Sequence, residues 1–242
     1  MRIAVISDIH GNHHALQAVM DDLGRDPADA IWCLGDLVGY GPRPNECCET
    51  VAESAAICLV GNHDLGVTGR IDLADFSPDA AVAAEWSREV LTPEARTYLE
   101  HGETSTTADR AELFHASPRD PVWEYILTDE AARAAMELTS APVVLVGHSH
   151  VAFAYRGNGR HLGESLAPAD TEVDLADERW LLNPGSVGQP RDGDPRAAYV
   201  VLDFDNDRAR FHRVPYPVER TQEEILDAGL PETLAGRLAF GM

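Results

Sequence analysis

Gly61-Asn62-His63-Asp64 closes the apolar run Ala55-Ala56-Ile57-Cys58-Leu59-Val60, and three chemically different side chains stand there together. Asn62 offers a neutral amide oxygen, His63 a proton that moves near neutral pH, and Asp64 a carboxylate. Alone, the tetrapeptide is also ordinary turn chemistry. Similar groups recur, however, behind other apolar runs. Asp8 and His10 follow Ile3-Ala4-Val5-Ile6, and Asp36 follows Ala30-Ile31-Trp32-Cys33-Leu34. His115 closes the run that starts at Ala111, and His148 and His150 follow Pro142-Val143-Val144-Leu145-Val146. In a parallel or mixed sheet the carboxyl ends of such strands converge on one edge, where ligands bind. Scattered core histidines have no reason to fall only there. Two carboxylates, one amide oxygen and several imidazoles make a donor set that suits Mn, Fe, Zn or Ni better than Ca or Mg alone. The donors are too many for one ion and enough for two. Two ions roughly 3.5–4 Å apart hold the attacking and leaving oxygens of a phosphoryl displacement.

Taken singly, Asp8 or Asp36 reads equally well as a turn or helix cap; the joint placement argues for metal. His13, His14, His101, His161 and His212 lie outside these blocks and read as surface or capping groups. Arg43 and Arg191 could meet a phosphate but read more simply as exposed loop arginines.

The elements that must position these groups follow from apolar periodicity. Strands over 2–8, 30–34 and 55–60 alternate with two helices, the first carrying Leu16, Val19, Met20 and Leu23 at helical spacing behind the cap Asn12. This β-α-β-α-β order predicts parallel strands with right-handed crossovers. Ser77-Pro78 and Thr92-Pro93 each open a helix as N-cap plus proline, the first presenting Val82, Trp86 and Val90 on one face. Two strands follow over 103–107 and 111–115, then an alanine-rich helix over 128–138 and the strand that leads to His148. The later chain reads as hairpins over 151–156, 179–182, 197–203 and 209–214, with Gly157-Asn158-Gly159 as a turn. That half predicts a second, more antiparallel sheet packed on the first. A helical tail at about 216–242 docks on the domain or on a partner subunit, which leaves room for a homo-oligomer.

The chain has 242 residues, enough for one domain with a sizeable core, and 1–242 reads as a single domain. No apolar stretch reaches the length of a membrane span, and Asp8 and His10 cut the first run too short for a signal peptide, so a cytoplasmic protein with no membrane partner is expected. Cys33, Cys47, Cys48 and Cys58 lack zinc-ribbon spacing and read as buried or incidental thiols. The net charge is −22 and every basic residue is arginine. Such a surface argues against a duplex DNA partner, which needs a basic footprint. An anionic substrate remains compatible if metal cations invert the local field.

Asp8-Ile9-His10, Gly35-Asp36, Gly61-Asn62-His63-Asp64, His115 and Gly147-His148-Ser149-His150 together resemble the calcineurin-like metallophosphoesterases, in that family's order and over most of the chain. Asn183-Pro184-Gly185-Ser186 resembles a further late signature. The resemblance implies an α/β fold, a four-layer αββα sandwich of two mixed sheets flanked by helices. It implies two divalent ions, Mn ahead of Fe, Zn, Ni or Mg. Asp8, His10 and His150 would hold the first, Asn62, His115 and His148 the second, and Asp36 would bridge them. His63 would protonate the leaving oxygen or stabilise charge on the phosphoryl group, with Asp64 fixing its orientation and a metal-activated water as nucleophile. Protein phosphatases and symmetrical dinucleoside tetraphosphatases carry arginines after the Gly-Asp block and before Gly-Asn-His; here Gly39-Tyr40 and Val60 stand there. The chain more closely resembles the small prokaryotic phosphodiesterases, which implies a small phosphodiester substrate such as a nucleotide. The alternatives are a phosphomonoesterase or protein phosphatase, a dinucleoside polyphosphate hydrolase, a DNA-repair-type nuclease, and a non-catalytic metal-binding scaffold.

Overall fold

The computed structural model describes residues 1–157, 162, 165–176 and 178–242. Asn158, Gly159 and His161 lie outside the described residues. The chain opens as β1 (Arg2–Ile6), α1 (His13–Leu23), β2 (Ala30–Cys33), α2 (Pro44–Ser54) and β3 (Ile57–Cys58). β2 pairs in parallel with both β1 and β3, as the alternation of runs and helices predicts. Asn12 caps α1 by accepting from the Ala15 N–H at 3.2 Å. A short helix α3 (Asn62–Thr68) begins where β3 ends, followed by α4 (Pro78–Val90) and α5 (Pro93–Glu100).

The second sheet starts with β4 (Ser105–Ala108) and β5 (Ala111–Phe114), then α6 (Asp129–Glu137) and β6 (Val143–Leu145). β7 (Phe153–Arg156), β8 (Glu172–Asp174), β9 (Trp180–Asn183), β10 (Ala197–Asp203) and β11 (Arg208–Val214) follow, and α7 (Val218–Asp227) and α8 (Glu232–Gly236) form the tail. The two sheets run β3-β2-β1-β10-β11-β8 and β4-β5-β6-β9-β7. Both are mixed. The halves of the chain therefore do not map onto the sheets. The β10–β11 hairpin joins the first sheet, antiparallel to β1, while β5, β6 and β9 form the parallel centre of the second.

Strand alternation sorts the core into layers. On β1, Ile3 and Val5 face the apolar layer between the sheets with Leu113, Val143, Leu145, Val200 and Leu202. Ala4 and Ile6 face the opposite way, toward Leu16 and Val19 of α1 and Cys47 and Val51 of α2. On β6, Val144 turns outward to meet Ala132, Ala135 and Met136 of α6. Helices, sheet, sheet and helix make the four layers expected. The tail docks on its own domain: Ile225, Leu230, Leu234 and Leu238 pack on Ala80, Ala83 and Tyr40.

Helix α4 corrects one expectation. Val82 is 48% and Val90 38% exposed, while Ala80, Ala83, Ala84 and Ser87 are buried. Ala80 and Ala83 make room for the tail and Ala84 packs with Leu65 and Val67 of α3, so small residues and the partly buried Trp86 carry the inward face while Val82 and Val90 do not. The four cysteines are free thiols, three of them buried.

Candidate metal centre

Both sheets deliver their carboxyl-terminal ends to one edge. The loop after β1 carries Asp8 and His10, and the loop after β2 carries Asp36. The two loops are laced together by Asp8 N–H to Gly35 C=O at 3.0 Å and His10 N–H to Asp36 C=O at 2.9 Å. From the second sheet, β5 delivers His115 and β6 delivers His148 and His150, joined through Gly147 N–H to His115 C=O at 2.7 Å. Asp8, His10, Asp36, His148 and His150 all adopt left-handed backbone, with φ between 50° and 61°. For residues with a Cβ this conformation costs of order 1–3 kcal/mol each and persists where the surroundings impose it. Five such residues at one edge place strain where ligands gather.

Asp8, His10, Asp36 and His150 present donor atoms within 4.8 Å of one another, and so do Asp36, His115 and His148. Asn62 joins the second group, its Oδ1 lying 3.3 Å from His115 Nε2. The donors are buried. Each imidazole is fixed by its other nitrogen: His10 Nδ1 lies 3.0 Å from Val38 C=O, His115 Nδ1 2.9 Å from Leu34 C=O, and His150 Nδ1 2.6 Å from Gln189 C=O. An Nδ1–H donated to a carbonyl leaves the Nε2 lone pair for a cation. His148 uses the opposite face, with Nε2 3.3 Å from Trp123 C=O, which leaves Nδ1 free to meet a cation.

A divalent cation fits this donor set. Asp36 Oδ1 accepts the His63 N–H at 2.9 Å, but its buried Oδ2 has no hydrogen-bond partner. That oxygen lies 3.6 Å from His10 Nε2 and 3.5 Å from His115 Nε2. His10 Nε2 and His150 Nε2 stand 3.1 Å apart, two nitrogens facing one point. Burial lowers the pKa of His10, His148 and His150, which favours the neutral, ligating form. It also pushes the Asp8 carboxyl up to about 7, and it raises Asp36 together with the Asp64 charge. Buried carboxylates in this position gain most from a cation.

Asp64 has a different post from the one expected. Its Oδ1 accepts Leu37 N–H at 2.9 Å and Val38 N–H at 3.1 Å, and its Oδ2 accepts Gly61 N–H at 3.0 Å. It ties the loop after β2 to the start of α3. His63 Nδ1 is buried without a hydrogen-bond partner, so Asp64 does not orient the ring through a bond. The ring is set by packing instead, 4.4 Å from Tyr40, 4.8 Å from His10 and 5.0 Å from Phe76 between centroids. Burial pushes its pKa down to about 3, with Arg191 and His115 adding to the shift. Gly39 lies against this ring at φ +83°, and a Cβ there would overlap His63 Nδ1. At Gly61, a Cβ would overlap the Asp36 carboxylate and the His115 ring.

Several contributors carry no local sequence signal. Phe76 packs edge-on to Trp123 at 5.1 Å, and Tyr125 stacks on His148 at 4.1 Å. The Asn183-Pro184-Gly185-Ser186 segment supports the centre from behind. Ser186 Oγ donates to Asp8 C=O at 2.7 Å and Asn183 Nδ2 to Gly147 C=O at 2.7 Å. Arg191 lies beside Tyr40, closer to the centre than an exposed loop residue. Arg43 instead pairs with Glu224 of the tail at 2.6 Å, and His14 shares the same carboxylate at 3.1 Å.

A model of the calcineurin-like phosphoesterase superfamily domain matches residues 1–207. The chain is 37% identical over 244 residues to the uncharacterized protein MJ0912 of Methanocaldococcus jannaschii, covering 99% of this chain and 98% of the relative. It superposes on the crystal structure of a metallophosphoesterase from Sphaerobacter thermophilus with a TM-score of 0.90 and 42% identity, covering 100% and 99% of the two chains. A symmetrical bis(5'-nucleosyl)-tetraphosphatase of Photorhabdus laumondii is 34% identical over 104 residues, 37% of this chain and 38% of that one. The ordered ligand blocks, the paired sheets and these likenesses agree: the chain belongs to the calcineurin-like phosphoesterase superfamily.

Proposed function

We propose that the protein is a dinuclear-metal-dependent phosphodiesterase acting on a small phosphoester such as a nucleotide. The buried Asp36 Oδ2, unbonded and flanked by His10 and His115, carries the two-ion reading. Asp8, His10 and His150 would hold one ion and Asn62, His115 and His148 the other, with Asp36 between them. Manganese heads the candidates for this donor set, ahead of Fe, Zn, Ni and Mg. Bound ions supply a water of pKa near 7 and a clamp on the attacking and leaving oxygens.

The chain's own residues do the rest. Backbone carbonyls of Leu34, Val38, Trp123 and Gln189 hold the imidazoles in their ligating tautomers. His63 would stand at the phosphoryl group, to protonate the leaving oxygen or stabilise charge there, and a bound phosphate beside it would raise its pKa from about 3. The preference for a diester rests on Val60 and Tyr40. Both are buried, Val60 beside Gly102 and Tyr40 against His10 and His63. Neither position offers a guanidinium to a terminal phosphate dianion, whose desolvation needs charged donors.

Hydrolysis within a dinucleoside polyphosphate is the second reading, favoured by the partial likeness to the tetraphosphatase. Metal-stripped protein reloaded separately with Mn, Ni, Zn, Fe and Mg should be tested on bis(4-nitrophenyl) phosphate, 4-nitrophenyl phosphate, cyclic nucleotides and diadenosine tetraphosphate. Diester turnover above monoester turnover is expected. Efficient monoester turnover with no diester cleavage overturns the assignment, and tight metal binding without any hydrolysis returns the scaffold alternative.

A further inference from the structure

We propose that Arg191 and Arg237 form a subsite for a second phosphate beside the scissile one, so that the substrate carries a phosphoanhydride chain. This rests on reading the metal centre as a phosphoesterase and specifies what that centre takes.

The chain has 41 acidic residues against 19 basic ones, so a guanidinium without a carboxylate is costly to arrange and easy to satisfy. Arg2, Arg43, Arg196 and Arg213 each pair with one, while Arg70, Arg88, Arg96 and Arg179 are met by backbone carbonyls. Arg191 and Arg237 have none among the described residues. They share one neutral acceptor instead, Gln189 Oε1, at 2.9 Å from Arg191 Nη2 and 3.3 Å from Arg237 Nη1. Asp79 is near enough to influence Arg237 but gives its carboxylate to the Thr233 hydroxyl, which donates at 2.5 Å. Two half-buried guanidiniums around a single amide oxygen repel each other and retain unmet donors. A multiply charged anion with several oxygens would satisfy both, because the planar fork matches phosphate.

The pair is also wired to the centre. Gln189 is buried, and its backbone carbonyl accepts from His150 Nδ1 at 2.6 Å while its side chain meets both arginines. Arg191 N–H donates to His150 C=O at 3.1 Å. Its guanidinium lies 5.8 Å from the Tyr40 ring centroid and 3.4 Å from the Tyr40 hydroxyl. Tyr40 in turn touches His10 and His63. Arg191 thus stands one Tyr40 ring away from His10 and His63, the side on which an adjoining phosphate of the substrate would meet the pair. Arg237 comes from the tail, so the docked tail completes the subsite.

The alternative is that the pair only pins the tail to the domain. Kinetics on Mn-loaded wild type, Arg191→Gln, Arg237→Gln and the double variant separate the two. The ratio of kcat/KM for diadenosine tetraphosphate over bis(4-nitrophenyl) phosphate should fall about tenfold or more per substitution, mainly through KM, at unchanged melting temperature. Double replacement by lysine should recover part of that ratio, since charge returns without the fork. An unchanged ratio, or equal loss on both esters, overturns the subsite. Calorimetric titration with tripolyphosphate reads binding without turnover: wild type should bind at least about tenfold more tightly than the double glutamine variant. Equal binding overturns the inference. If tripolyphosphate discriminates but neither ester is cleaved, the phosphoesterase reading fails and the anion subsite stands.

Discussion

At the scale of single residues, the proposed centre divides into groups that would hold metal and groups that would shape the reaction. Asp36→Asn removes the one carboxylate common to both donor groups, and should cut metal content together with turnover, read by elemental analysis and kinetics on the same sample. His63→Ala should retain the metals and lose about 10²–10⁴-fold in kcat, the usual range for a group that moves a proton or steadies charge; loss of metal instead would contradict its role. Asp64 belongs to a different category. Asp64→Ala leaves the N–H groups of Gly61, Leu37 and Val38 buried without their acceptor. At about 1–3 kcal/mol for each unsatisfied group, chemical denaturation should show a loss of about 3 kcal/mol or more. The sequence places Asp64 next to His63, but adjacent residues on a helix do not face each other. The orienting role that the resemblance implied for Asp64 is not what its carboxylate does, whereas donor types and their positions behind apolar runs identified the groups that cluster.

At the scale of elements, the strand-loop junctions do the positioning, and the loop after β2 packs directly on the His63 ring. Gly39→Ala introduces a Cβ into the His63 ring at a positive φ. It should lower kcat about 10²-fold with metals retained, since a displacement of about 1 Å is enough for that loss; equal metal content in the two proteins checks the mechanism. The Arg43–Glu224 pair adds to the apolar docking of the tail. Burial opposes the Glu224 charge, but hydrogen bonds from Arg43 and His14 hold its carboxyl below the usual range. A depressed carboxyl contributes stability above its unfolded pKa of about 4.3 and loses it as pH falls through the lower folded value. Limited proteolysis should therefore find the tail more accessible in strong acid than at pH 6, and accessible already at pH 6 in Arg43→Ala. The β1-α1-β2-α2-β3 unit was legible because each run ends in glycine or a polar ligand and parallel neighbours follow in order. The place of β10 was not. Its near-continuous burial suits the middle of either sheet, and only the long-range pairing with β1 decides.

At the scale of the whole molecule, two sheets pressed together across one apolar layer bring ligands separated by more than a hundred residues to a common edge. No helix among the described residues is long and apolar enough to cross a membrane. The acidic surface and the buried cluster of carboxylates and imidazoles set a requirement for positive charge at the centre. A cation at about 100 times its dissociation constant stabilises the folded state by about 2.7 kcal/mol. For a chain of this size that corresponds to a rise of about 5–10 °C in melting temperature, which thermal unfolding with and without chelator should show. The central claim is a two-ion centre bridged by Asp36, and the most direct measurement is metal stoichiometry against diester turnover as Mn is titrated into stripped protein. Activity should appear as the second ion fills, and Asp36→Asn should reach neither full occupancy nor turnover. Full turnover at a single ion per chain, or unchanged occupancy in Asp36→Asn, would contradict it.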